Sequence, residues 1–253
     1  MATTSTNTAA RLKLVPDPEP SRERGQRIEM PLAWDQFPVL NPACHPDYLA
    51  QFRLLRNQVL AHRDRQHDPS AFASICVMSA LPAEGKSFTA ANLAATLAGV
   101  HDKTVLLIRS GLDGKPEAEL GLADALKDQS RWERCVRKVA GAPLYLMPPG
   151  SREVGAGSAD LTQLPQLLAT LQEHFAWIVL DGASFSTSPE APWLAAVCDG
   201  TVMVARRGGA TPELLKSTLA HVPSGNMVGI VMNQKEMPKP SGFRVKIRWA
   251  GAS

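Results

Sequence analysis

An α/β domain, built on a mainly parallel sheet with helices on both faces, is the fold this sequence predicts. Two observations carry that expectation. Short apolar runs with no helical period alternate along the chain with segments of helical character. That is the pattern of strands buried on both faces and joined by crossover helices. One junction, "SALPAEGKSFTAANLA" (79–94), also sets glycine, lysine and serine between a strand-like and a helix-like run. Backbone amides at such a helix N-terminus attract phosphate.

The elements follow in order. Residues 1–45 are polar and dotted with proline, and read as a flexible arm with local order around Trp34 and Phe37. Pro46 and Asp47 signal a helix start, and Tyr48, Phe52, Leu55 and Val59 recur on one face. "FASICVMSA" (72–80) is a buried strand, and "SFTAANLAATLAG" (87–99) a helix stopped at Gly99. Five further apolar runs read as strands: "TVLLI" (104–108), "PLYLMP" (143–148), "AWIVLD" (176–181), "TVMVAR" (201–206) and "MVGIVMN" (227–233). Helices fit at 159–174 and 212–220. The organisation expected is an arm (1–45), a nucleotide-binding domain with its N-terminal helix (46–236) and a basic, apolar tail (237–253). In that tail Phe243, Val245, Ile247 and Trp249 alternate with Arg244, Lys246 and Arg248. Period two favours an edge strand, with a cationic surface segment for anionic lipid or a protein partner as the other reading.

Composition excludes several classes. Lys and Arg total 27 against 24 acids, a net charge of +3, too small an excess to point to nucleic acid. Cys44, Cys76, Cys135 and Cys198 are scattered, with no C-x-x-C and no histidine cluster, which argues against zinc and for free thiols in a reducing compartment. The N-terminus lacks the apolar run of a signal peptide, and no stretch approaches the ~20 apolar residues of a membrane span. A soluble, cytoplasmic protein is therefore expected, reaching the inner face of the membrane only through a partner.

The phosphate-loop pattern is G-x-x-x-x-G-K-[ST]. Residues 80–87 keep Gly85, Lys86 and Ser87 but begin with Ala80. Lys86 would reach the β- and γ-phosphates, the Ser87 hydroxyl would sit on Mg²⁺, and Gly85 would let the backbone approach. The candidate phosphate-binding run is Ala83, Glu84, Gly85, Lys86, Ser87 and Phe88. "WIVLDGAS" ends an apolar strand in Asp181, the carboxylate expected to hold Mg²⁺ through water. Lys86 and Asp181 are the candidate catalytic pair, and Ser87 and Asp181 the candidate metal ligands.

The order of "SALPAEGKSFTAANLA", "TVLLIRSGLDGKP", "GLADAL", "LYLMPPG", "WIVLDGAS", "CDGTVMVARRGGATPE" and "VGIVMNQ" resembles the bacterial tyrosine autokinases of polysaccharide synthesis. The similarity is greatest to the cytoplasmic CpsD/CapB type, including kinases associated with exosortase loci. It runs from about Tyr48 to Asn233, within the wider MinD/ParA class of P-loop ATPases. The signature lysine of that class, five places before the loop lysine, is Leu81 here. The resemblance implies a P-loop NTPase fold, ATP or ADP with Mg²⁺ as ligand, and Asn233 near the base, where a strand-end turn residue is the other reading. As partner it implies a membrane polysaccharide co-polymerase, or chain-length determinant protein.

Four departures bear on activity. Ala83 stands where relatives usually have glycine, and costs about 1–2 kcal/mol if that position needs positive φ. "LLIRSGLDGKP" places Arg109 and Gly111 where relatives carry two acids. A charge reversal matters when one unit-charge pair is worth about 4 kcal/mol at ~4 Å and an effective dielectric of ~20. Arg109 cannot act as base or metal ligand. It could contact a phosphate, pair with Asp181, or face solvent. No tyrosine follows Tyr145, although these kinases phosphorylate a C-terminal tyrosine cluster. The first helix reads "AQFRLLR", keeping Arg53 and Arg56 of the family's self-association motif but with Ala50 for its acid. The expectation is an ATP- or ADP-binding protein impaired in phosphoryl transfer, with an active kinase or ATPase and a non-binding scaffold as alternatives.

Overall fold

A computed structural model describes residues 29–30, 37–100, 104–112, 119–151, 160–234 and 244–248. The strands are β1 (Glu29–Met30), β2 (Ser74–Ser79), β3 (Val105–Arg109), β4 (Arg137–Val139), β5 (Leu144–Met147), β6 (Trp177–Ser184), β7 (Gly200–Arg206), β8 (Met227–Gln234) and β9 (Arg244–Arg248). The helices are α1 (Pro46–Arg63), α2 (Lys86–Ala98), α3 (Leu122–Lys127), α4 (Leu164–Gln172), α5 (Ala191–Val197) and α6 (Pro212–Leu219). The strands form one sheet in the order β1-β4-β5-β3-β6-β2-β7-β8-β9. Its central pairs are parallel, and β4/β5 and β8/β9 are antiparallel.

Two apolar clusters, one on each face, explain the unbroken apolar runs. Ile75, Val77, Val105, Leu107, Trp177 and Val179 pack with α1 and α2. Their alternate neighbours Cys76, Met78, Leu106, Ile108, Ile178 and Leu180 pack with α3, α4 and α5. A strand buried on both sides has no polar face, so the sequence shows no period-two pattern there.

Two parts of the segment expected as a flexible arm carry structure. Glu29–Met30 pairs with β4. A 3-10 turn at Pro38–Leu40 sets Phe37, 1% exposed, into the α1/α2 core. Val39 N–H donates to Asn92 Oδ1 of α2 at 3.3 Å. Burial of the Phe37 ring and of Val39 favours this placement of the segment. Trp34 lies outside the described residues. The helix expected over 159–174 is a 3-10 turn at Leu161–Gln163 followed by α4, in which Pro165 occupies the first turn. β9 takes the edge position that the tail's alternation favoured, with Ile247 in register with Val231. Among the described residues the four cysteines form no disulfide, no acid, histidine and cysteine cluster could hold a metal, and no helix is long and apolar enough to cross a membrane.

Candidate functional site

The site lies at the C-terminal ends of the central strands, where β2 runs into α2. The loop between them begins on a bulge. Ser79 Oγ donates to Leu81 O at 2.6 Å, Phe185 N–H to Ser79 O at 3.0 Å, and Ser186 N–H to Ala80 O at 3.1 Å. These bonds fasten the start of the loop to the end of β6. Ala83 then adopts φ 58°, the one positive φ outside glycine among the described residues, and Gly85 adopts φ 101°. The alanine at 83 therefore carries the left-handed cost of about 1–2 kcal/mol that the sequence suggested.

Gly85 caps α2 without a side chain, so no side chain covers the first-turn amides, which face the loop with the positive end of a 13-residue helix dipole. A Cβ at Gly85 would lie 2.4 Å from Asn233 Nδ2, so no larger residue fits. Asn233, at the end of β8, donates from Nδ2 to Glu84 O at 3.0 Å. Lys86 is 7% exposed, and its Nζ donates to Ser184 Oγ at 3.1 Å. Ser87 is exposed at the helix start.

Asp181 lies on β6 in register with Val77 of β2 and Arg109 of β3. Alternation along β6 and β3 puts Asp181 and Arg109 on the face of Val179 and Leu107, the face that α2 covers. Asp181 O also accepts from Ser110 N–H at 3.1 Å. Arg109 is half-buried beside it. Gly111, where the sequence resemblance implies a second acid, has φ 73°, and a Cβ there would meet Pro149 Cβ at 2.6 Å. The strand-end prolines after β5 fill that space. Beneath the site, burial pushes the Cys76 thiol well above its ordinary value, with the Cys198 hydrogen bond and the Asp181 charge adding to it. That thiol is inert.

The structure thus brings Ala83, Glu84, Gly85, Lys86, Asp181, Arg109 and Asn233 to one end of the sheet. Two candidates sit differently from their reading in sequence. Phe88 turns its ring onto α1, with centroids 6.0 Å from Tyr48 and 6.3 Å from Phe52. Glu84, read for its backbone amide, buries its carboxylate away from the cradle. Ser184 was not singled out. A serine four residues beyond a buried run carries no signal until β6 and α2 are placed together.

The loop fits a nucleotide's phosphates: α2 offers uncapped amides, Gly85 admits close approach and Lys86 supplies a cation. For Mg²⁺ the described residues offer the Ser87 hydroxyl and one carboxylate, Asp181, with a guanidinium as its neighbour.

No family model matches the chain. The succinoglycan biosynthesis transport protein ExoP of Rhizobium meliloti (strain 1021) is 28% identical over 179 residues, which span 64% of this chain and 22% of that protein. The tyrosine-protein kinase YwqD of Bacillus subtilis (strain 168) is 31% identical over 208 residues, 76% of this chain and 84% of that kinase. The chain belongs to the bacterial tyrosine-kinase family. Solved structures agree. The chimerical protein CapA2B2 aligns with TM-score 0.68 at 20% identity, over 82% of this chain and 92% of that one. A ParA family ATPase from Chlorobium tepidum TLS aligns with TM-score 0.50 at 16% identity, over 66% and 76%. At these identities the likeness establishes the fold alone, one that this chain shares with the ParA family ATPase. The structure sets Ala83, Arg109 and Gly111 at the C-terminal ends of the central strands.

Proposed function

We propose that this member of the bacterial tyrosine-kinase family binds ATP or ADP between the 83–88 turn and the end of β8, with phosphoryl transfer impaired. The protein then acts as a nucleotide-dependent regulator of exopolysaccharide synthesis or export. It works with a membrane co-polymerase of the chain-length determinant kind, from the cytoplasmic side. The polysaccharide role draws on the name of the Rhizobium meliloti relative.

One observation carries the impaired-transfer reading: Arg109 is the register partner of Asp181, and Pro149 fills the space beside Gly111. Phosphoryl transfer depends on positioned charge around the transferred group and its metal. Bound Mg²⁺ would neutralise phosphate charge there, held by Ser87 and, through water, by Asp181. Arg109 sets a fixed positive charge beside that carboxylate. It can neutralise phosphate, and it can neither accept a proton nor ligate a metal. Lys86 and the first-turn amides of α2 hold the phosphates, and Asn233 lies at the base end. A second reading, an active kinase or ATPase, is favoured by the surviving Lys86, Ser87 and Asp181.

Binding of a fluorescent ATP analogue, read beside Lys86→Ala, tests the nucleotide site. Release of γ-phosphate and phosphotyrosine on this chain or a partner separate the two readings. Tight binding, lost in Lys86→Ala and without phosphate release, is the expected result. Turnover comparable to active kinases would favour the second reading, and no binding would overturn both.

A further inference from the structure

The carboxylate of Glu84 takes no part in the phosphate cradle, yet it is 1% exposed and fully engaged. Oε2 accepts from Leu81 N–H at 2.9 Å, and Oε1 accepts from Arg206 N–H at 3.2 Å and Ala210 N–H at 3.3 Å. Gly209 makes room for it, since a Cβ there would lie 2.7 Å from Oε1. The main-chain carbonyl of the same residue accepts from Asn233 Nδ2 at 3.0 Å. One residue ties the phosphate loop to itself and to the ends of β7 and β8.

Its two neighbours both have positive φ. Ala83 precedes it at φ 58° and Gly85 follows at φ 101°. Glycine takes that region freely, but alanine does not. Left to its own preference, Ala83 would leave the left-handed region, and the loop would lose the shape that points its amides at a phosphate. A strained conformation persists only where its surroundings over-determine it. Charge-assisted hydrogen bonds from three backbone amides to a buried carboxylate do that here.

We propose that Glu84 is a positioning residue, which clamps the phosphate loop in its binding shape and so allows alanine at position 83. The proposal deepens the nucleotide-binding reading and rests on it for the affinity measurements. Apparent affinity scales with the fraction of molecules in the competent shape. Freed of the clamp, the left-handed cost at Ala83 lowers that fraction by roughly 5- to 30-fold.

The test is a cycle of ADP titrations on the full chain. Wild type, Glu84→Gln and Glu84→Ala are each measured with and without Ala83→Gly. Glu84→Ala is expected to weaken ADP binding by about 5- to 30-fold. Glu84→Gln should fall between, because its single oxygen cannot serve both Leu81 and the 206–210 turn. Ala83→Gly should recover most of the loss beside Glu84→Ala, and gain much less beside an intact Glu84. A carboxylate that merely supports the fold would lower the melting temperature without that selective rescue. Equal effects of Ala83→Gly in both backgrounds would overturn the proposal. Amide exchange of the ligand-free chain tests the clamp without nucleotide. The Leu81, Arg206 and Ala210 amides should be protected in wild type, exposed together in Glu84→Ala and exposed only in part in Glu84→Gln. Unprotected amides in wild type would overturn it even if Glu84→Ala fails to fold. Protected amides in a chain that binds no ADP would instead sink the nucleotide reading, and the positioning role with it.

Discussion

Arg109 and Asp181 stand side by side on adjacent parallel strands, in direct register and on the face that α2 covers. At the strand spacing of about 4.8 Å, a guanidinium and a carboxylate share one field. The resemblance read from the sequence implies an acid where Arg109 stands. On that expectation the pair reverses the sign of charge at the place where metal and phosphate would meet.

The link between Lys86 and Ser184 is the second relationship that sequence alone does not give. Ser184→Ala removes the hydroxyl that accepts from the Lys86 ammonium at 3.1 Å. It should weaken ADP binding by about 0.5–1.5 kcal/mol, the worth of one such hydrogen bond. In a Lys86→Ala background the same change should have almost no effect, because residues in contact are not additive. Calorimetric titration of the four proteins in the cycle measures the coupling. Full additivity would mean that Ser184 acts on something other than Lys86.

Restoring the second acid should fail for steric reasons. Gly111→Asp demands a side chain at φ 73° and 2.6 Å from Pro149 Cβ. A loss of about 1–3 kcal/mol in urea unfolding is expected. Arg109→Asp, at a half-buried strand end with ordinary backbone, should cost less. The reverse order of stabilities would show that the Pro149 contact yields easily.

The two tyrosines of these 253 residues should not be autophosphorylated. The chain has two tyrosines, Tyr48 and Tyr145, and none follows residue 145. Tyr145 is 4% exposed within β5, and Tyr48 packs on Phe52 and Phe88, where burial raises its phenol above the ordinary range. Peptide mass analysis after incubation with Mg-ATP should find no phosphate on Tyr48 or Tyr145. Phosphate on Tyr48 or Tyr145 would revive the reading of an active kinase.

Much of this fold was legible in sequence because burial on both faces leaves a plain mark. Val105 to Ile108 and Trp177 to Leu180 are unbroken apolar runs, and each is a central strand. The Gly85-Lys86-Ser87 turn was legible because its chemistry is local. What was not legible depends on long-range placement. β4 has three residues and α3 six, too short to show a period. Phe88 reads as part of the loop until α1 brings Tyr48 and Phe52 beside it. Local order at Phe37 was legible, but not the core that it enters against α1 and α2. The partners of the Glu84 carboxylate, Arg206 and Ala210, lie more than 120 residues away in sequence.

Metal dependence of nucleotide binding tests the role of Arg109 most directly. ADP would be titrated into wild type and Arg109→Ala, each with excess Mg²⁺ and each with a chelator. If the guanidinium takes over phosphate charge, wild type should keep most of its affinity without metal. Arg109→Ala should lose about 1.5–3 kcal/mol in the chelator, the value of a charged hydrogen bond, and less with Mg²⁺ present. Equal affinity of the two proteins in both conditions would contradict this, and would mean that Arg109 takes no part in holding phosphate.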